Sequence, residues 1–227
     1  MIKVEHIKTY GWEAAIRGMR NPMNSWEKSD SRSCYDKCES GDCPNILCDS
    51  QIYYCVGSND LDLMKRLCKA GTDHRKFMRM IMVSCDITAP LYWWKEYDTY
   101  KVGTVANSCS TMHKIAAKEF TIDDFSHEHL INKVECNYRG LSSLGLLIAY
   151  LNTARNYYLE TKDKEWWWQM IQLLPSSYNQ KRTVVLNYEV LANIYKNRKN
   201  HKLDEWVEFC RQIESLPHSK LITEAVS

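Results

Sequence analysis

The sequence lacks any long apolar run. The longest, Leu144 to Leu151, is far too short to span a bilayer. It also lacks a charge bias: 30 Lys and Arg stand against 28 Asp and Glu, for a formal net charge of +2. Charge alone therefore gives no reason to expect nucleic acid or a membrane surface as a partner. There is no internal repeat and no low-complexity tail. The first residues, Met-Ile-Lys-Val-Glu-His-Ile-Lys, alternate like a strand and hold no apolar block of the signal-peptide kind. These absences predict a cytoplasmic protein.

What is present suits a globular chain. Its 227 residues fit one domain carrying an insertion, and 44% apolar against 26% charged residues is an ordinary balance. Eight Trp and fourteen Tyr are many; they supply large buried areas and faces for planar ligands.

Alternation predicts a strand over residues 1–10, and a short helix follows over 11–20, ending near Asn21-Pro22. Residues 24–50 are polar and rich in Ser, Asp and Cys, a loop or small inserted subdomain within an insertion of about 30–58. Leu61–Ala70 is helical in period, with Asn59 or Asp60 as N-cap and Gly71 as stop. Phe77–Asp86 reads as a strand, and a helix opens after Ala89 with Pro90 in its first turn. Asn107–Phe120, Leu141–Thr161, Lys164–Leu174, Arg182–Arg198 and Leu203–Leu216 all read as helices. The class is mixed α/β, leaning helical. The aromatic stripe Tyr92, Trp93, Trp94, Tyr97 and Tyr100 reads as core. Trp166, Trp167 and Trp168 cannot all face one way on a helix.

The ten cysteines divide in two. Cys68, Cys85, Cys109, Cys136 and Cys210 are scattered, as reduced core residues usually are. Cys34, Cys38, Cys43 and Cys48, with Cys55 beyond, crowd the polar stretch. Their spacing suits a structural tetrahedral zinc site; a loop with free thiols and a set of disulfides are the other readings.

Toward the C-terminus stand Leu174-Pro175, eleven residues, Asn187, then Leu191, Asn193 and Arg198, with Trp206 beyond. This pattern resembles the closing segment of the flavin-dependent thymidylate synthases. Upstream, His74, Phe77, Ile81, Ile87 and Ala89 resemble that family's pattern of a His, a Phe, a strand and an Ile-Ser-x-Ala approach to a helix. The family's signature is Arg-His-Arg, two residues, Ser, one residue, Asn-Glu, one residue, Ser, one residue, Arg-Tyr. Here Asn107 and Ser110 keep their relative spacing. Ser108 replaces the Glu, Met112 the Arg and His113 the Tyr, and the triplet has no clean counterpart beyond Lys101 or Lys95. Glu189 stands where the family has an Arg.

The resemblance implies an α/β (α+β) fold with a central, mostly antiparallel sheet and flanking helices over 1–227. It implies methylation of dUMP to dTMP with methylenetetrahydrofolate and reduced FAD, NADPH as reductant, and a homotetramer. Carried over by position, His74, Asn187, Asn193, Arg198 and His201 would contact the cofactor. Lys101, Asn107, Ser110 and Arg198 would contact the nucleotide. The altered signature keeps two other readings open: an inactive homologue that binds or sequesters a nucleotide, and an interaction protein built around the cysteines. Cys109 and His113 would share a helix face, where a His lowers a thiol pKa.

Overall fold

The computed structural model describes residues 2–34, 53–131 and 142–225. A four-stranded, mostly antiparallel sheet runs in the order β1-β4-β6-β5, where β1 is Lys3–Tyr10, β4 Met82–Pro90, β5 Thr104–Ser108 and β6 Asn179–Asn187. A two-stranded sheet pairs β2 (Arg32–Cys34) antiparallel with β3 (Tyr53–Cys55). The helices are α1 (Trp12–Arg20), α2 (Ser58–Lys69), α3 (Leu91–Tyr97), α4 (Thr111–Lys114), α5 (Ser143–Thr161), α6 (Lys164–Gln172), α7 (Tyr188–Arg198), α8 (Asp204–Glu214) and α9 (Lys220–Thr223). The chain forms two compact units. One comprises Met1–Lys3, Ile87–Asp98 and Asn107–Arg182; the other comprises Val4–Asp86, Thr99–Ala106 and Thr183–Ser227. No described helix is long and apolar enough to cross a membrane.

Periodicity explains most elements. In α1, Trp12, Ala15, Ile16, Met19 and Arg20 are buried, the i, i+3, i+4, i+7, i+8 face of a helix on a core. In β4, exposure alternates along the strand, as a period of two requires. Gly11 sits at φ +83°, and a Cβ there would lie 2.1 Å from the Met80 carbonyl oxygen; only glycine allows that approach. Trp93, Trp94 and Tyr97 of the aromatic stripe are buried core, whereas Trp168 of the Trp triplet is exposed.

Four expectations fail. The helix expected over 107–120 is β5 followed by the single turn α4. Thr104 and Val105 are β-branched, and sheet pairing outweighs the local helical pattern. The helix expected over 182–198 is β6 up to Asn187, where the Asn187 Oδ1 accepts from the Val190 N–H at 3.0 Å and starts α7. Run Thr183-Val-Val-Leu favours strand, and short apolar runs do not distinguish the two states. The strand expected from Phe77 starts only at Met82, after a 3-10 turn at Lys76–Arg79. At α2 the N-cap is Gly57 rather than Asn59 or Asp60.

The second unit buries a charged cluster. Asp60 is fully buried and accepts from Arg20 Nε at 2.6 Å, Ser29 Oγ at 2.7 Å, Ser31 Oγ at 2.6 Å and the Asp30 and Ser31 N–H groups. Asp30 in turn accepts from the Asn59 and Asp60 N–H groups at 2.9 and 3.1 Å. Two carboxylates thus fasten residues 29–31, where the chain leads into β2, to the first turn of α2.

His218 closes the same unit. Its backbone is left-handed at φ 50°, its ring lies 5.3 Å from that of Trp12, and its buried Nε2 has no hydrogen-bond partner among the described residues. Burial first, and the charge of Lys65 second, push its pKa below 6.5. The fold therefore holds the neutral ring. The associated stability is complete above the ordinary value and is lost as the pH falls below it. Between about pH 7.5 and 5.5, the range where histidine titrates, the wild-type melting temperature is expected to fall more steeply than that of His218→Phe. Parallel curves would remove His218 as the cause.

Candidate functional site

The second unit gathers several of the residues singled out by sequence around the C-terminal end of α7. Arg198 Nε donates to the Tyr100 hydroxyl at 2.9 Å, and its guanidinium lies 4.8 Å from the ring of fully buried Trp206 and 5.6 Å from that of Tyr100. Two aromatic faces hold the planar cation in one orientation. Arg198 Nη1 is 2.9 Å from His201 Nε2, and His201 Nδ1 accepts from the Leu203 N–H at 3.2 Å. The turn after Tyr100 packs onto the start of α7: a Cβ on Gly103, at φ +81°, would meet Asn187 Nδ2 and Val190 Cγ2 at 3.1 Å. Lys101 is exposed in this turn.

Three other candidates have surroundings of their own. Asn187 is the buried N-cap of α7 and so precedes the helix face expected to carry it. Asn193 is exposed and accepts from Asn197 Nδ2 one turn on, at 2.9 Å from Oδ1. His74 is exposed in the bend before the Lys76–Arg79 turn.

Asn107 and Ser110 belong to the first unit. Asn107 is exposed on β5, and Ser110 caps α4, its Oγ accepting from the His113 N–H at 3.1 Å. Cys109 precedes α4, so it shares no helix face with His113, and that expectation is withdrawn. In the same unit Arg182 lies 4.2 Å over the Trp94 ring and bonds Asp98 at 2.8 Å and Gln180 at 3.0 Å.

The charge inversion at Glu189 has a local cause. Both of its oxygens accept from Arg75, at 2.9 Å each, and Arg75 also bonds the carbonyl of Ala225. Glu189 is therefore the acid of a forked ion pair that ties α7 to the chain before β4. Nothing local in the sequence marks this pair, because its members are 114 residues apart.

Of the proposed zinc ligands, Cys38, Cys43 and Cys48 lie outside the described residues, as does the side chain of Cys34. Among the described residues no three His, Cys, Asp or Glu side chains group around a metal position.

The donor set can be tested against FAD. Counting back from Asn107, the spacing of the signature puts its triplet at Tyr100, Lys101 and Val102. Tyr100 is engaged by Arg198, Lys101 is one exposed cation, and Val102 presents an isopropyl group at 92% exposure. Within the chain's own described residues this set does not fit a flavin diphosphate, which needs several cationic or N–H donors. A single fixed guanidinium does fit a monophosphate.

No family model matches the chain, and no curated protein matches it. Solved structures do. Thymidylate synthase X from Helicobacter pylori, with FAD and dUMP, matches with a TM-score of 0.66 and 15% identity over 100% of both chains. A second structure of that protein, also complexed with FAD and dUMP, matches at 0.64 and 15% over 100% of this chain and 99% of the other. The UMP/dUMP methylase PolB from Streptomyces cacaoi, bound with 5-Br dUMP, matches at 0.54 and 13% over 100% of this chain and 93% of the other. The chain has the fold of the flavin-dependent thymidylate synthases.

Proposed function

We propose that the protein binds a pyrimidine nucleoside monophosphate of the dUMP class, with Arg198 as the cation facing its phosphate. The fixed guanidinium carries this reading: Tyr100 and Trp206 hold it before any ligand arrives, so little ordering is left for binding to accomplish. His201 stands beside it, and Lys101 adds positive charge on the adjoining turn. Asn193 and His74 are proposed as contacts of a cofactor, and Asn187 as the cap that sets the start of α7.

A second reading is methylation of dUMP with FAD and methylenetetrahydrofolate, in a tetramer reduced by NADPH. One observation favours it: both Helicobacter pylori structures hold FAD together with dUMP, and each matches this chain along its whole length. The poor fit of Tyr100, Lys101 and Val102 to a diphosphate weighs against it.

Calorimetry with dUMP tests the first reading. Arg198→Ala is expected to weaken binding about tenfold or more, and Arg198→Lys to recover only part of it, because an ammonium does not replace a stacked, forked cation. Equal affinity in the wild type and both variants, with melting curves showing all three folded, would overturn it. Flavin absorbance retained by the wild type after desalting would establish the cofactor of the second reading.

A further inference from the structure

The first unit carries a groove that no part of the preceding reading uses. It has a volume of about 330 Å³ and is lined by Met112, His113, Ile115, Ala116, Tyr158, Lys162, Lys164 and Trp167. That volume lies at the lower end of small-molecule sites. One wall is fixed: the Trp167 indole N–H donates to the Met112 carbonyl at 3.1 Å, so the polar handle of the ring is used and its carbon surface remains for contact. Tyr158 and Trp167 are half-buried, and Ile115 is buried.

The rim is cationic. Lys162 Nζ lies 5.9 Å from the centroid of the Tyr158 ring, and Lys164 Nζ lies 5.9 Å from that of Trp168. Among the described residues no acidic side chain lines the groove. The intervening Asp163 caps α6 and accepts from the Glu165 N–H at 2.9 Å.

Lys162 supplies a second, independent observation. It ends α5 in the left-handed region, at φ 59° and ψ 13°, with its N–H donating to the Tyr158 carbonyl. Glycine or asparagine usually takes that position, because a Cβ there is strained. A lysine is the costlier choice for the helix, and its ammonium stands on the groove. Strain held at one residue is a mark of sites where the side chain matters.

We propose that this groove binds a small planar aromatic anion, its ring against Tyr158 and Trp167 and its carboxylate or phosphate between Lys162 and Lys164. The two aromatic walls favour a flat aromatic ring, since aromatic pairs in offset or edge arrangements gain attraction beyond the area they bury. The two ammoniums on the rim select the negative group.

The test uses the full chain at low salt with three probes: 4-nitrophenyl phosphate, 4-nitrobenzoate and inorganic phosphate. Binding is followed by calorimetry and by saturation-transfer NMR. At least one aromatic anion is expected to bind with a Kd below about 1 mM, and inorganic phosphate more weakly. A preference for the ester identifies a phosphate ligand, and a preference for the benzoate a carboxylate ligand; both support the groove. Lys162→Gly is the decisive variant, because glycine relieves the left-handed strain and keeps the fold at least as stable. It is expected to leave the melting temperature unchanged or raised while weakening binding about fivefold. Lys164→Ala is expected to weaken binding similarly. Failure of both aromatic probes to bind at about 5 mM, a concentration that would reveal even millimolar affinity, overturns the proposal. So does binding that neither variant alters. Lys162→Gly and Lys164→Ala leave Arg198 intact, and Arg198→Ala leaves the groove intact, so probe binding lost in the lysine variants and kept in Arg198→Ala is separate from the dUMP measurement.

Discussion

Asp60→Ala is expected to cost about 3–5 kcal/mol of folding stability, the range for removing one partner of a buried ion pair, read from the midpoint of a urea transition. The carboxylate is fully buried, and alanine would leave the guanidinium of Arg20, itself 5% exposed, without its counter-charge. It would also strip acceptors from two serine hydroxyls and two backbone N–H groups. Burial opposes ionisation of Asp60, but the hydrogen bonds from Ser31, Ser29 and Arg20 and the charge of Arg20 outweigh it, so its pKa lies below the ordinary 3.8. Stability linked to this group is therefore complete above that ordinary value and is lost as the pH falls through the lower folded one. Asp60→Asn should lose stability at neutral pH and show a weaker dependence on acid. A loss under about 1 kcal/mol for the alanine variant, typical of exposed pairs, would mean that water replaces the carboxylate.

Glu189→Arg is expected to be about as damaging, at about 3–5 kcal/mol, because it sets a second guanidinium against buried Arg75. The substitution would install the residue that the resembled family carries at this position, so it asks whether that chemistry can be restored by one change. The Arg75–Glu189 pair says that it cannot: the acid on α7 and the base before β4 form one unit. The exchanged double variant Arg75→Glu, Glu189→Arg should recover part of the loss, since contacting partners couple. A stable Glu189→Arg protein with unchanged dUMP affinity would show that the pair contributes little.

Much of the fold is readable from pattern. Alternation marks β1, and the i, i+3, i+4 spacing marks α1, α2 and α8. What escapes is the boundary at Asn187, where an apolar run through Val184 and Leu186 continues without a break into the apolar face of α7. The asparagine is a good N-cap, but a cap residue shows where a helix begins only when the preceding run is known to be strand. The same limit applies to the site. The position of Arg198 follows from its spacing, whereas its fixing by Tyr100 joins residues 98 positions apart. Burial of Asp60 is equally hidden, because its partners Arg20, Ser29 and Ser31 come from before the cysteine-rich stretch.

Neither compact unit is one continuous stretch of chain, and this bears on how the protein is made. The first unit has received its last segment when Arg182 leaves the ribosome, whereas the second still waits for Thr183–Ser227. At ~5–20 residues per second that wait lasts on the order of seconds. During it, α1 and α2 have been synthesised without α7, α8 and α9, and Arg75 without Glu189. The apolar face of α1 is then open to wrong partners until α7, α8 and α9 complete the unit. A nascent chain stalled just before α7 would lack the core residues of α7, α8 and α9 and leave Arg75 without Glu189.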